Sequence, residues 1–278
     1  LAEAVKAQSS DPEQWNRLKE IFVSPSLQLV SFTITEKGYA LHKADGTWFP
    51  FVEADIQNGP DKATGAMAVL TAMLYERYKA GRYPLALVSM DNCSQNGAKL
   101  HESVLTMTEE WKKAGFVDDG FAAYVSDEKT VAFPWTMIDK ITPRPSEQIA
   151  SDLENLGVED MQPVITGKNT YIAPFVNAEK PQYLVIEDSF PNGRPAVEKS
   201  FGVYMADRET VNLSERMKVT VCLNPVHSAT GPLGVVLGYD LFAHMLNTNP
   251  DMMKMGRMVA YDEGLPVVPN PGILSPRE

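Results

Sequence analysis

The chain has 278 residues, 44% of them hydrophobic, and carries a formal net charge of -11 with a sequence pI near 4.9. That length and apolar content suffice for one large or two ordinary packed domains and exclude a disordered chain. The acidic balance argues against nucleic acid or an anionic membrane surface as the main partner, although a pocket can still be locally basic.

The two cysteines, Cys93 and Cys222, lie far apart outside any pair motif, which suits a reduced, cytoplasmic protein and offers no structural zinc. No run approaches the roughly 18 apolar residues of a membrane helix. The chain opens on "LAEAVKAQSS", without a signal-peptide pattern, and closes on the Pro-rich "VVPNPGILSPRE"; both ends read as cuts inside a longer chain.

In chain order, "SSDPEQWNRLKEIF" offers Ser10 or Asp11 as a cap and Pro12 in the first turn, with Trp15, Leu18 and Phe22 at helical spacing. "LQLVSFTIT" (27–35) is β-branched and aromatic, so it predicts a strand ending in a turn at "EKGY". "DKATGAMAVLTAMLYERYKAG" predicts a long helix with Gly81 as its C-cap. "PLALVSM" (84–90) reads as a buried strand, the loop "DNCSQNG" follows, and "AKLHESVLTMTEEWKKAG" is again helical. "YLVIED" (183–188) is another short buried strand. Past residue 208 the pattern turns helical through "ETVNLSERMKVTVCLN", "SATGPLGVVLGYDLFAHMLN" and "PDMMKMGRMVAYDEG". Alternating strand and helix is the pattern of a mostly parallel α/β sheet. The predicted organisation is residues 1–208 as an α/β domain and 209–278 as the start of a helical one.

Clefts of open α/β sheets lie at the carboxyl ends of strands, which draws attention to three loops. "DNCSQNG" crowds Asp91, Asn92, Gln95 and Asn96 together, a grouping that a plain polar turn also favours. "FPWTMIDKITPRPS" (133–146) places Asp139 and Lys140 between apolar residues, as a solvated ion pair at a strand end would. "IEDSFPNGRP" (186–195) ends a strand on Glu187 and Asp188, with Arg194 beyond a turn, as a surface loop would. A fourth stretch, "MKVTVCLNPVHS" (217–228), puts Lys218, Asn224 and His227 among mostly apolar residues. A snorkelling lysine, a capping amide and a satisfied core histidine are the alternative to a site.

Together "VSMDNCSQNG", "FPWTMIDKITPRP", "VIEDSFPNGRP", "MKVTVCLNPVHSA" and "SFTITEKGY" (31–39) resemble the polyol-specific long-chain dehydrogenase/reductase family, which includes mannitol 2-dehydrogenase, fructuronate (mannonate) oxidoreductase and tagaturonate reductase. The wording of the second and fourth motifs is more similar to the hexuronate-reductase side. The resemblance covers essentially the whole chain. It implies a Rossmann-like domain followed by a mainly helical domain, NAD or NADP as cofactor and no metal. The substrate it implies is a small sugar acid or polyol.

The resemblance also makes Lys218 the catalytic lysine of a Lys-Asn-His array with Asn224 and His227. One of Asn92 and Asn96 joins them as an oxyanion donor. Asp91, Asn92, Asp139 and Lys37 are candidate cofactor contacts. The resemblance does not settle what holds a substrate carboxylate; among the motif cations Lys37, Lys140, Arg144, Arg194 and Lys218, the two-pronged guanidinium of Arg144 or Arg194 suits it. With no metal to acidify an alcohol, a lysine base must be neutral part of the time, which apolar surroundings promote.

The spacing of Lys218 to Asn224 is i to i+6, a rotation of about 240° on a regular helix. The lysine can therefore join the other two only from before the helix proper or at a bulge. No glycine-rich phosphate loop follows any strand. In the family it precedes the first residue present here, so the chain is expected to be a piece of the enzyme and can by itself be a non-catalytic binding fragment. "GPLGVVLG" (231–238) has the wrong spacing for such a loop and reads as close helix packing. Nothing in the sequence sets the oligomeric state.

Overall fold

The computed structural model describes every residue except 1, 2, 4, 139, 141, 143, 168, 179–182 and 278. Helix α1 (Pro12–Val23) starts where the Asp11 carboxylate accepts the Gln14 amide, and it buries Trp15 and Phe22. Strand β1 spans only Leu29–Phe32; the predicted strand to residue 35 stops early and gives way to a single 3-10 turn at Glu36–Tyr39. Helix α2 (Pro50–Asn58) was not predicted, although Pro50 at its first turn and Gly59 just beyond it, at φ 75°, are ordinary start and stop signals.

Helix α3 (Ala66–Gly81) is shorter at its start than predicted, because Pro60–Lys62 forms a separate 3-10 turn. Its C-cap is Arg82 rather than Gly81: Arg82 takes the left-handed conformation at φ 56°, and its amide returns to the Arg77 and Tyr78 carbonyls. Strand β2 (Leu85–Ser89) is buried throughout. Helices α4 (Asn96–Lys113) and α5 (Asp119–Ser126) lead to β3 (Val131–Ala132). The three strands form a wholly parallel sheet in the order β1-β2-β3, with Leu29 opposite Ala86 and Leu85 opposite Val131. The core lies between this sheet and its helices: Leu70, Met73 and Leu74 of α3 and Leu100, Val104 and Trp111 of α4 join Leu85 and Leu87 of β2.

Strand β4 (Thr136–Ile138) begins a second sheet. Helix α6 (Glu147–Asn155) and the small ladder β5 (Val164–Ile165) with β6 (Tyr171–Ile172) intervene before β7 (Leu184–Glu187) and β8 (Val203–Ala206). The order is β4-β7-β8, with β7 and β8 parallel but β4 antiparallel to β7; the β5-β6 ladder is antiparallel as well, so the second half of the α/β region departs from the parallel pattern.

From Arg208 onward the regular structure is helical: α7 (Arg208–Glu215), a π-helical stretch (Arg216–Leu223), α8 (Asn224–Val236), α9 (Phe242–Thr248), α10 (Pro250–Arg257) and a second π-helical stretch (Met258–Gly264). Of the glycines in "GPLGVVLG", only Gly234 makes a close approach: a Cβ there would lie 2.4 Å from Met245 Sδ. No helix among the described residues is long and apolar enough to cross a membrane.

His101 on α4 stacks on Phe133 with ring centroids 4.4 Å apart, and its Nε2 is buried without a hydrogen-bond partner. Burial holds the imidazole below its ordinary value of 6.5; nearby Glu128 pulls it up and Arg208 pushes it further down. A base whose pKa is depressed by folding binds fewer protons folded than unfolded, so it favours the folded state at high pH and opposes it at low pH. Stability is expected to fall as pH drops through and below 6.5. His101→Gln should remove that part of the slope in denaturant titrations run from pH 8 to pH 5; an unchanged slope would sink the assignment.

Candidate active site

The carboxyl ends of β1 and β2 face the loop 91–96, where four polar side chains were expected to line a cleft. The structure separates them. Asp91 is 5% exposed, and its carboxylate accepts the amides of Ile34 (3.0 Å) and Thr35 (2.8 Å) together with the Tyr39 hydroxyl. Three donors of the chain's own turn therefore hold Asp91, which was expected to be a cofactor contact. Asn92, by contrast, is exposed.

Asn96 is fully buried. Its Nδ2 donates to Thr136 Oγ1 at 2.8 Å and to the Asp91 carbonyl at 3.0 Å, while its Oδ1 accepts the Thr136 amide at 3.0 Å. Both ends of the amide therefore tie β2 to β4, so of the two asparagines expected as an oxyanion donor, Asn96 is the one bonded within the protein and Asn92 the exposed one. The next residue has to be glycine, because a Cβ at Gly97 would lie 2.5 Å from the Phe133 carbonyl oxygen. Asn96→Ala leaves the Thr136 amide and neighbouring buried groups unpaired. It is expected to cost about 2–4 kcal/mol of stability, read by urea denaturation, whereas a loss below about 0.5 kcal/mol would contradict the cross-link.

Lys218 lies in the π-helical stretch, where the Asn224 amide reaches the Val219 carbonyl in an i to i+5 bond. A π turn takes about one residue more than an α turn, so the six residues from Lys218 to Asn224 cover roughly one and a third turns. The winding does break at the lysine, but it does not by itself bring Lys218 onto the face of Asn224. The half-buried lysine has its Nζ 5.6 Å from the ring centroid of Tyr183, the residue before β7. Burial pushes the nearby Cys222 thiol up, while the charge of Lys218 pulls it back. Asn224 and His227 are exposed. The His227 ring stacks on Phe242 at 4.6 Å and its Nδ1 lies 3.0 Å from the Leu223 carbonyl oxygen.

Two contacts tie this helix to the strand-end loops. Ser94 Oγ donates to Glu215 at 3.3 Å, which sets the loop carrying Asn92 against the turn just before Lys218. Strand β4 runs from Thr136, held by Asn96, to Ile138, opposite Leu184 and so beside Tyr183. Asp139, the next residue in sequence, lies outside the described residues.

Of the two candidate carboxylate anchors, Arg194 is already taken. Its guanidinium forms a two-pronged pair with Asp188 (2.7 and 3.0 Å) and a further bond to Glu198 at 2.6 Å. That pairing holds the Asp188 carboxyl below its ordinary range, so Arg194, expected as a substrate anchor, is engaged by two carboxylates of the chain. Arg144 is exposed, forms no ion pair among the described residues, and lies 5.2 Å from the Tyr171 ring centroid on a cleft of about 540 Å³ with Met161 and Phe175. Lys37 is likewise exposed and without an ion pair among the described residues.

Sequence reasoning missed Arg208, whose guanidinium bridges the largely buried Glu187 (3.0 Å) and Glu128 (3.1 Å) while Glu187 also accepts the Trp135 amide at 3.0 Å. Its available signal was only the N-terminal position on a predicted helix.

A family profile described as the mannitol dehydrogenase Rossmann domain matches residues 2–199. A D-mannonate oxidoreductase from Thermotoga maritima is 53% identical over the whole chain, which spans 51% of that relative. A mannitol dehydrogenase from Saccharomyces cerevisiae is 31% identical over 94% of the chain and 48% of its own length. Among solved structures, the Pseudomonas fluorescens mannitol 2-dehydrogenase ternary complex with NAD and D-mannitol superposes with a TM-score of 0.71 at 28% identity, covering 97% of this chain and 50% of that one. A substrate-free D-sorbitol dehydrogenase superposes with a TM-score of 0.76 at 26% identity, covering 96% of this chain and 50% of that one. The chain thus spans about half the length of the relatives it matches, and it belongs to the mannitol dehydrogenase family.

Proposed function

We propose that the protein of which this chain is part is an NAD- or NADP-dependent oxidoreductase that interconverts a keto-hexuronate and the corresponding hexonate, of the fructuronate/mannonate type. The observation that carries the reading is the Ser94–Glu215 contact, which joins the strand-end loop of a Rossmann-like sheet to the helix turn before Lys218. The 53% identity to a D-mannonate oxidoreductase supports the sugar acid over a neutral polyol.

The residues present fit only part of a dinucleotide. Exposed Asn92 and Lys37, at the carboxyl edge of β1 and β2, would meet its nicotinamide end, and no described strand is followed by a glycine-rich phosphate loop. When bound, the nicotinamide would exchange hydride with the substrate's secondary alcohol or ketone carbon. In this reading Lys218 takes the hydroxyl proton or returns it to the ketone oxygen. Asn92 and Asn224 direct amide N–H groups at that oxygen, where charge develops, and His227 bonds a neighbouring hydroxyl. Arg144 receives the carboxylate. A cytoplasmic setting accords with two free cysteines.

The direct test is an assay of the full-length protein with fructuronate, tagaturonate and fructose and both reduced cofactors. Preference for fructuronate supports the proposal, and preference for fructose replaces it with a mannitol 2-dehydrogenase. In the same assay Arg144→Gln should lower the fructuronate-to-fructose ratio of kcat/KM by about tenfold or more, the scale of one charge-assisted bond. An unchanged ratio would remove Arg144 from the site.

A further inference from the structure

The turn after β1 holds a conformation that its residue types do not predict. Thr35 has φ 64° and ψ 160°, a region occupied almost only by glycine, and it is both β-branched and exposed. The surroundings over-determine it. Asp91, buried at the end of β2, accepts the amides of Ile34 and Thr35 and the Tyr39 hydroxyl. Tyr39 is itself buried and bonds Ser89 Oγ at 2.7 Å, and its carbonyl accepts Ser103 Oγ at 2.7 Å. Glu36 pairs with Lys99 of α4. Burial, and after it the bond to Asp91, push the Tyr39 phenol well above its ordinary range, so it remains a donor at any working pH. The strained residue therefore has a fixed underside and an open outer face, on the carboxyl edge of two parallel strands where α/β sheets bind ligands.

We propose that Asp91 and Tyr39 are positioning residues: they clamp Thr35 in its strained conformation so that the turn 34–37 presents a rigid wall to the nicotinamide end of the cofactor. This inference rests on the oxidoreductase reading. Neither residue touches the reacting atoms; their effect passes through the backbone of Ile34 and Thr35. Strain of this kind persists only where the structure enforces it, and here a buried carboxylate with three donors supplies the enforcement.

The test uses the full-length protein and three variants: Thr35→Gly, Asp91→Asn and Tyr39→Phe. Melting temperature is read by calorimetry and reduced-cofactor affinity by fluorescence titration without sugar substrate. Thr35→Gly relieves the strain but loosens the wall, so the melting temperature should rise while the Kd weakens at least fivefold. A purely structural turn cannot move stability and affinity in opposite directions. Asp91→Asn turns an amide N–H or a weaker acceptor toward two backbone donors and should weaken Kd at least tenfold, with Tyr39→Phe showing a smaller loss in the same direction. A Thr35→Gly protein that binds cofactor within twofold of the wild type, or melts lower, overturns the clamp; so does an Asp91→Asn protein with unchanged affinity. The titration contains no sugar, so a wild type that binds reduced cofactor but turns over none of the three sugars overturns the reaction assignment and leaves the clamp to be judged on its own data.

Discussion

Lys218→Ala in the full-length protein is expected to lower turnover by roughly 10²–10⁴-fold, the range that general acid–base catalysis supplies. No other lysine occurs within "MKVTVCLNPVHS", and the described structure puts this one on the interrupted part of a long helix, against Tyr183 and one turn beyond the Ser94–Glu215 contact. The side chain also contributes packing, because it is half-buried beside the Tyr183 ring. Lys218→Met keeps that stem and removes the amine, so it separates the two roles. Both variants should retain the melting temperature within a few degrees, and both should lose turnover. Small primary amines should restore part of the activity of the alanine variant, since they supply the missing base. A loss under tenfold in either variant would place the base elsewhere and withdraw the mechanism.

What the sequence made legible was whatever local pattern decides. The buried strand 85–89, the helices on either side of it and the switch to helix near residue 208 follow from hydrophobic runs and from turn residues. What it left hidden was the direction in which each polar side chain of a loop turns. Asp91 and Asn96 share a loop with Asn92, and turn chemistry treats the three alike. Asp91 turns inward because Ile34 and Thr35, 57 and 56 residues away, arrive with unpaired amides. Asn96 turns inward because Thr136 arrives from 40 residues away. Arg194 illustrates the same limit at shorter range. A cation beyond a turn suggested a substrate anchor, but Asp188, six residues before it, and Glu198, four after it, claim its guanidinium. The six-residue step from Lys218 to Asn224 does not fit one face of a regular helix, and the chain is π-helical there, although that winding alone does not put the two residues on one face.

The largest effect on stability is expected at Arg77, a residue of α3 with no exposed surface. A buried charge ordinarily requires an opposite charge or complete hydrogen bonding, and Arg77 relies on the second. Its Nε donates to the Tyr83 carbonyl at 2.9 Å, one terminal nitrogen to Phe22 and Ser24, and the other to Leu27 and Pro84 at 3.1 and 2.8 Å. The acceptors lie at the end of α1, on its connection to β1 and on the approach to β2, so one guanidinium sets where two parallel strands begin. Burial lowers its pKa somewhat, and it remains a cation.

Arg77→Ala takes a donor from five buried main-chain carbonyls, of which those of Tyr83, Ser24 and Leu27 keep another donor, and opens a cavity. Losses of about 3–5 kcal/mol follow from breaking a buried charge network of this kind. Against a total stability of roughly 5–15 kcal/mol, that is enough to shift much of the protein to insoluble expression. Arg77→Lys keeps the charge but has three donors on one point where the site requires a planar fork, so it should recover less than half of the loss. Chemical denaturation of both variants measures this directly. An alanine variant within about 1 kcal/mol of the wild type would mean that water replaces the guanidinium at those carbonyls and that the strand origins are fixed by core packing instead.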